Sequence, residues 1–287
     1  MTSPKTSAKS LPSAVVAALR CSVCGEQLRP GDHWLRCDRG HSFDIARQGY
    51  VNLLHAKVPA KTADTAEMVA ARVRFLETGC YAPLADLLAD RAQQAGGEFV
   101  VDAGAGTGYY LARVLRRLRN ATGLALDVSA AALRRAARAH PSIGAAVWNL
   151  WQPWPVSSGV ADVLLNVFAP RNPGEFHRVL RPGGTLLVVV PGQRHLDRLA
   201  DTLGLLDMAD DKQRRLTDAL AQGFAACGED RLDATVTLTP EQARAAVLMG
   251  PNAHHLHRGD LAARLDAIRE PIEVTTSFRV SSYRRLG

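Results

Sequence analysis

Four side chains near the start of the chain, Cys21, Cys24, Cys37 and His41, follow the pattern Cys-x2-Cys-x12-Cys-x3-His, and this spacing limits what the first sixty residues can become. Two short knuckles, Cys21-Ser-Val-Cys24 and Cys37-Asp-Arg-Gly-His41, each supply two ligands. Gly25 and Gly40 stand at the turns, where a positive φ is needed. Thiolates and an imidazole suit Zn²⁺, and four of them close its tetrahedral shell. A closed shell leaves no place for water, so the expected role is structural. A segment of about twenty residues buries no core of its own, so the metal would supply the folding energy. His33 has the same x3 spacing to Cys37, but using it would strand His41, so His41 is preferred. The other cysteines, Cys80 and Cys227, lie in apolar or helical surroundings. Five cysteines, three of them clustered, argue against a disulfide framework and for a reducing compartment.

A length of 287 residues allows one large core and a small satellite domain. No apolar run approaches the roughly eighteen residues of a membrane span. One of them, Leu186 to Val190, reads as a buried strand. The N-terminus is polar, and Ala14 to Leu19 is too short for a secretory signal. Residues 1–18 are therefore expected to form a disordered leader, and the protein to be cytoplasmic with no membrane partner. Residues 1–60 hold eight Lys/Arg against four Asp/Glu, a net +4 of the chain's +7. That excess favours an anionic partner such as nucleic acid, with plain solubility as the alternative. Tyr50, Val51 and Leu53 could pack on the metal module, while Arg36, Arg39 and Arg47 could face phosphates. The expected division is a zinc-binding RNA-recognition module over 19–60, a linker and helical segment over 61–95, and the main domain over 96–287.

Within the main domain, Glu98-Phe-Val-Val-Asp102 is a short apolar run ending in an acid. Gly104, Gly106, Thr107 and Gly108 follow, and then a helical pattern at Leu111, Val114, Leu115 and Leu118. Strand, glycine loop and helix in this order let backbone approach a ligand at a helix N-terminus. The spacing is G-x-G-x-G, whereas the dinucleotide fingerprint would need glycine at Tyr109. Asp102 with this loop resembles the class I S-adenosylmethionine (SAM) methyltransferases. A second strand ends at Asp127, whose carboxylate could accept both ribose hydroxyls of an adenosine, with a strand-end cap as the plainer role. A third ends at Asn149, where a side-chain oxygen could meet the adenine amino group. A fourth strand runs from Val160 to Asn166 and a fifth from Thr185 to Val190, after the turn Arg181-Pro-Gly-Gly184. That turn is again similar to SAM methyltransferases. The expected fold is α/β, Rossmann-like, with a mostly parallel sheet. Helices are expected around Leu196–Leu205 and Lys212–Phe224, at Pro240–Leu248 and at Asp260–Ile268, with strands at Ala234–Leu238 and Ile272–Val280.

The zinc pattern, then His41-Ser-Phe-Asp-Ile-Ala-Arg-Gln-Gly-Tyr-Val-Asn-Leu-Leu54, then Ala66-Glu-Met-Val-Ala-Ala-Arg72, resembles the RlmA family of 23S rRNA guanine-N1-methyltransferases from about Leu19 to the C-terminus. Asn166-Val-Phe-Ala-Pro-Arg-Asn172 is most similar to the tylosin-resistance branch of macrolide producers. The resemblance implies 23S rRNA as partner and methylation of a guanine in a hairpin loop of its domain II. It also implies SAM and structural zinc as cofactors, and cofactor contacts at Tyr81, Gly106, Thr107 and His195. Thr107 and Cys80 depart from residues common among relatives.

Guanine N1 exposes its lone pair only as its proton leaves, so positioning and charge stabilisation are the expected means of catalysis. The base would be splayed from its hairpin into a pocket lined by the 166–172 loop, with Asn166 and Pro170 as candidates and no general base assigned. Arg113, Arg116 and Arg117 share one helix face, as do Arg134, Arg135 and Arg138. Such clusters are ordinarily solvated surface; as RNA contacts they would grip phosphates. Two other functions compete, a small-molecule methyltransferase with a zinc lid and a non-catalytic RNA adaptor on a SAM fold. A homodimer is left open.

Overall fold

The computed structural model describes residues 10–54, 63–204, 220, 222–250, 252–253 and 260–287. Its first element is a short helix, α1 (Ser13–Ala18). Val15 is fully buried and lies against Gly144, where an added methyl would come within 2.7 Å of the valine side chain. Leu19 bridges to Val156, and the Arg20 N–H donates to the Pro155 carbonyl (2.9 Å). The expected leader over 1–18 is therefore too long, because Leu11, Val15, Val16 and Ala18 are buried against the main sheet. A six-residue helix without a side-chain cap has too little periodicity to announce itself in sequence. Leu19→Ala, which empties a fully buried site, is expected to cost about 2–5 kcal/mol in urea unfolding. A change of less than about 0.5 kcal/mol, typical of a surface position, would return this segment to the leader.

Strands β1 (Leu28–Pro30), β2 (Trp34–Cys37) and β3 (Ser42–Asp44) form a small antiparallel sheet. Leu28, Leu35 and Cys37 turn inward and share a core with Val101, Leu124 and Phe176 of the main domain. The chain then turns at Gly49 (φ +90°) into β4 (Tyr50–Asn52). This strand leaves the zinc module and pairs in parallel with the main sheet, Tyr50 opposite Ala145 and Asn52 opposite Val147. The module is thus stitched to the large sheet by a strand of its own.

Helix α2 (Ala66–Glu77) is capped by Thr65, whose Oγ1 accepts the Met68 N–H (3.2 Å). With α3 (Ala82–Ala95) it buries Phe75, Leu76, Leu84 and Leu88 in the core beside Val100. These helices are part of the main domain, which corrects the reading of 61–95 as a separate segment; the linker expected at 55–62 lies outside the described residues. The central strand β5 (Phe99–Ala103) is buried throughout. It leads through the glycine loop to α4 (Tyr109–Arg117), then β6 (Thr122–Asp127), α5 (Ala130–Ala139), β7 (Ile143–Val147), β8 (Ala161–Val167), α6 (Pro173–Val179) and β9 (Leu180–Pro191).

Beyond α7 (Asp197–Leu203) come the long strand β10 (Phe224–Leu238), α8 (Pro240–Leu248), α9 (Leu261–Ala267) and β11 (Ile272–Arg285). The last strand pair is much longer than the alternation around 234–238 and 272–280 implied. β10 is an edge strand, so most of its residues before Leu238 face solvent and carry no apolar signal. Most of the helix expected over Lys212–Phe224 lies outside the described residues. The sheet order is β10-β11-β9-β8-β5-β6-β7-β4, parallel except where β11 meets β9 and β10. β5 and β8 are neighbours from which the connections run to opposite sides, and in such sheets the crevice at the carboxyl ends holds the ligand. No described helix is long and apolar enough to cross a membrane.

Candidate functional site

The knuckles bring Cys21, Cys24, Cys37 and His41 together with all ligand atoms within 4.8 Å of one another. Cys24 Sγ lies 3.7 Å from Cys37 Sγ. His41 Nδ1 lies 3.3 Å from Cys37 Sγ and 3.6 Å from Cys21 Sγ. Tetrahedral zinc with ordinary bond lengths has S···S edges of about 3.8 Å and S···N edges of about 3.5 Å, so the knot has the dimensions of a zinc site. Gly25 and Gly40 adopt φ of +76° and +86° with open space around them, so backbone conformation alone demands glycine there. His33 is exposed and stands outside the knot. Of the arginines expected at phosphates, Arg36 stacks over Trp34 (4.8 Å), Arg39 pairs with Glu26 (3.3 Å), and Arg47 is exposed.

At the crevice, the Asp102 carboxylate is buried and neither oxygen has a hydrogen-bond partner. Burial, and then the charge of Asp127, pushes it up to about 8. An orphaned acid is costly, and a bound cation is what would relieve it. The α-ammonium of SAM is such a cation. The Gly104 and Ala105 N–H groups donate to the Leu126 carbonyl (2.8 and 3.0 Å), folding the loop over the end of β6. A methyl at Gly104 would collide with the Ala169 side chain, so this glycine lets the 166–172 loop sit on the cofactor loop. Gly106 has φ +52° and faces Arg72, whose Nη1 would lie 3.3 Å from an added Cβ. Arg72 in turn pairs with Asp64 and donates to the Met249 carbonyl (2.7 Å). Thr107 is buried in the same loop. At Gly108 packing also demands glycine: a Cβ there would lie 2.8 Å from Ala136 Cα on α5.

Asp127 is half-buried. Its Oδ2 accepts the Gly106 N–H (2.9 Å) and its Oδ1 the Ser129 N–H (2.8 Å). Burial raises its pKa and these two bonds oppose the rise. A carboxylate offers about four acceptor positions, so each oxygen keeps room for a ribose hydroxyl. Asn149 Oδ1 accepts the Trp151 N–H (3.0 Å), an Asx turn that leaves one lone pair open.

Tyr81 and His195, 114 residues apart in sequence, meet at 2.8 Å between Oη and Nε2. The His195 Nδ1 accepts the Ser277 N–H (3.2 Å), so in the neutral ring the proton sits on Nε2 and is donated to Tyr81. Burial holds the imidazole neutral, down to about 4, and raises the Tyr81 phenol. The tyrosine hydroxyl hydrogen is then free to point at a ligand. Both rings flank Phe278, at 4.8 Å each.

The base-pocket candidate Asn166 also holds its own loop in place. Asn166 Nδ2 donates to the carbonyls of Ala103 (3.2 Å) and Pro170 (3.0 Å), so its donor is spent on pinning the loop to β5. Its Oδ1 is buried without a hydrogen-bond partner. Pro170 is exposed on this loop, and so is Phe168. Phe168 is 42% exposed and holds φ at +54°, a conformation that costs a non-glycine residue about 1–3 kcal/mol. Its ring lies 5.8 Å from Phe278 and 6.4 Å from both Tyr81 and Tyr110. Sequence reasoning singled out neither Phe168 nor Arg72. The aromatic lay inside a loop already marked for the pocket, and Arg72 inside a segment already quoted for its likeness to a family.

Comparison with known proteins agrees with this geometry. A family model described as "RlmA, N-terminal" matches residues 19–60, and one described as "Methyltransferase domain" matches residues 100–184. The chain is 50% identical over 277 residues to a 23S rRNA (guanine(748)-N(1))-methyltransferase of Streptomyces fradiae, covering 95% of this chain and 98% of that one. A relative from Micromonospora griseorubida is 48% identical over 286 residues, covering 93% and 97%. Among solved structures, YcgJ of Bacillus subtilis aligns with 71% of this chain and 98% of its own at a TM-score of 0.50 and 14% identity, a likeness of fold alone. The protein belongs to the RlmA family of SAM-dependent 23S rRNA (guanine-N1)-methyltransferases.

Proposed function

We propose that this enzyme methylates N1 of guanine 748, the base named for the Streptomyces fradiae relative, in a hairpin loop of 23S rRNA domain II, and that the mark confers macrolide resistance of the tylosin type. The observation that carries this reading is half identity along nearly the full length of both chains. Methyl transfer from labelled SAM to unmethylated 23S rRNA tests it. The product should be 1-methylguanosine, with a reverse-transcription stop at position 748. Label found only on a small metabolite would sink the proposal, as would resistance unchanged on expression in a sensitive host. An rRNA substrate also supports a cytoplasmic location.

SAM, when bound, supplies a methyl group on a sulfonium, a good leaving group. Asp102 would hold its ammonium, the Gly104–Thr107 backbone would lie along its methionine part, and Asp127 and Asn149 would take the ribose and adenine. Tyr81, fixed by His195, stands beside Phe168 of the 166–172 loop. The target base enters from the open side, where Phe168 offers a ring face. Guanine N1 loses its proton as the new bond forms, and no described side chain within the crevice is placed as its base. His195 faces Tyr81 with a protonated nitrogen, so the proton passes to water.

Base–aromatic stacking is worth roughly 1–3 kcal/mol. Phe168→Ala is therefore expected to lower kcat/KM for rRNA by about 10- to 100-fold, with SAM affinity unchanged. Phe168→Tyr should restore most of the loss. An alanine variant as active as the parent would remove Phe168 from the base site.

A further inference from the structure

The two arginine helices, alike in sequence, differ in what surrounds them. On α4, Arg113 and Arg117 are neutralised by Asp86 (2.5 Å) and Asp90 (2.9 Å) of α3. On α5, Arg134, Arg135 and Arg138 are all exposed, and none forms an ion pair among the described residues. The same three side chains line one wall of an open cavity of about 340 Å³. The rest of its lining is Ala66, Val69 and Ala70 of α2, Ala131 of α5, and Gln48 from the turn between the zinc module and β4. These short side chains leave the groove open, and the guanidinium groups give it its charge. Arg138 also stands in the last turn of α5, where the helix end attracts a cation. That accounts for one of the three and leaves the other two without a structural purpose.

The groove has a definite place relative to the two working parts. Gln48 follows Arg47 of the zinc module directly in the chain. On the other side, α2 carries Arg72 to the cofactor loop and α5 begins just after Ser129, which accompanies Asp127. The groove therefore adjoins residues of both parts. We propose that the groove between α2 and α5 is the path of the rRNA sugar–phosphate backbone, with Arg134, Arg135 and Arg138 contacting its phosphates. This rests on the rRNA reading above and adds to it a surface, outside both the zinc knot and the crevice. Guanidinium pairs with phosphate in bidentate fashion, and three unneutralised ones within five residues suit consecutive phosphates.

The test measures binding of the full-length enzyme to a 23S rRNA hairpin transcript carrying guanine 748, as a function of salt. The triple change Arg134→Gln, Arg135→Gln, Arg138→Gln should lower affinity at least tenfold near 0.15 M salt. The slope of log affinity against log salt should fall by about 2, at roughly 0.7 per phosphate released. The matched triple on α4, Arg113→Gln, Arg116→Gln, Arg117→Gln, removes the same net charge and should shift affinity less than threefold. Replacing the α5 arginines by lysines, which keeps the charge, should restore the slope. SAM affinity of each variant, measured by calorimetry, reports that the fold is intact. Equal losses from the α4 and α5 triples, no loss from the α5 triple, or no recovery with lysine would each overturn the groove. Failure of the parent enzyme to form 1-methylguanosine on rRNA would instead overturn the function, and is read independently of these variants.

Discussion

Replacing Cys24 by serine is expected to cut affinity for the 23S hairpin at least tenfold, about 1.4 kcal/mol, while SAM affinity changes less than threefold. Zinc content, measured on the purified variant, should fall with it. Closing a structural zinc shell supplies on the order of 10 kcal/mol to a small module, and one missing thiolate forfeits much of that. The unequal loss follows from the architecture. The knot holds the small sheet carrying Trp34 and Arg36, whereas Asp102, the glycine loop and Asp127 are held by β5 and β6. Thermal stability should also drop, because Cys21, Cys37, Leu28 and Leu35 share a core with the main sheet. Equal loss of RNA and SAM binding would show that the two parts do not divide the work. Deleting residues 1–60 gives no such separation, since it also removes α1 and the edge strand β4.

SAM affinity should rise as pH rises from about 6 to 8, approaching tenfold per unit, and Asp102→Asn should abolish that dependence. With its pKa raised to about 8, far above the ordinary 3.8, Asp102 is mostly protonated at neutral pH in the free enzyme. Binding a cation beside it requires the ionised form, so below pH 8 cofactor binding must expel a proton. The sign for stability is the opposite. The raised pKa leaves the free fold undisturbed below about pH 4 and costs it progressively as pH climbs toward 8, a cost that bound cofactor offsets. Calorimetry in buffers of different ionisation enthalpy counts the released proton directly. Affinity independent of pH between 6 and 8 would mean that Asp102 is charged before the cofactor arrives.

Those features of the fold that rest on strict local rules were legible in the chain. The zinc spacing, the glycine loop after Asp102 and the capped helix at Pro240–Leu248 each carry their own chemistry within a few residues. What the sequence concealed depends on partners far away. β4 is three residues long and becomes a strand only because β7 offers an unpaired edge. α1 is buried because Gly144, about 130 positions later, leaves room for Val15. The same holds within the site. Tyr81 and His195 were named through family likeness, but their mutual hydrogen bond is a tertiary fact. Asn166 was assigned to the base because of its position after a strand. In the folded chain the Ala103 and Pro170 carbonyls engage its amide nitrogen, a pairing no local pattern announces.

The backbone ladder between Tyr50–Asn52 and Ala145–Val147 has a consequence for target choice. A gripping part and a reacting part joined by slack chain could serve any nucleotide within reach. Here the zinc module and the large sheet are welded along a shared edge, so a module that holds the rRNA as proposed would make the span between them a calliper set to one opening. Two guanines adjacent in a loop would present the same ring to the methyl donor but stand at different offsets from the held stem, and a rigid gauge would tell them apart without reading either base.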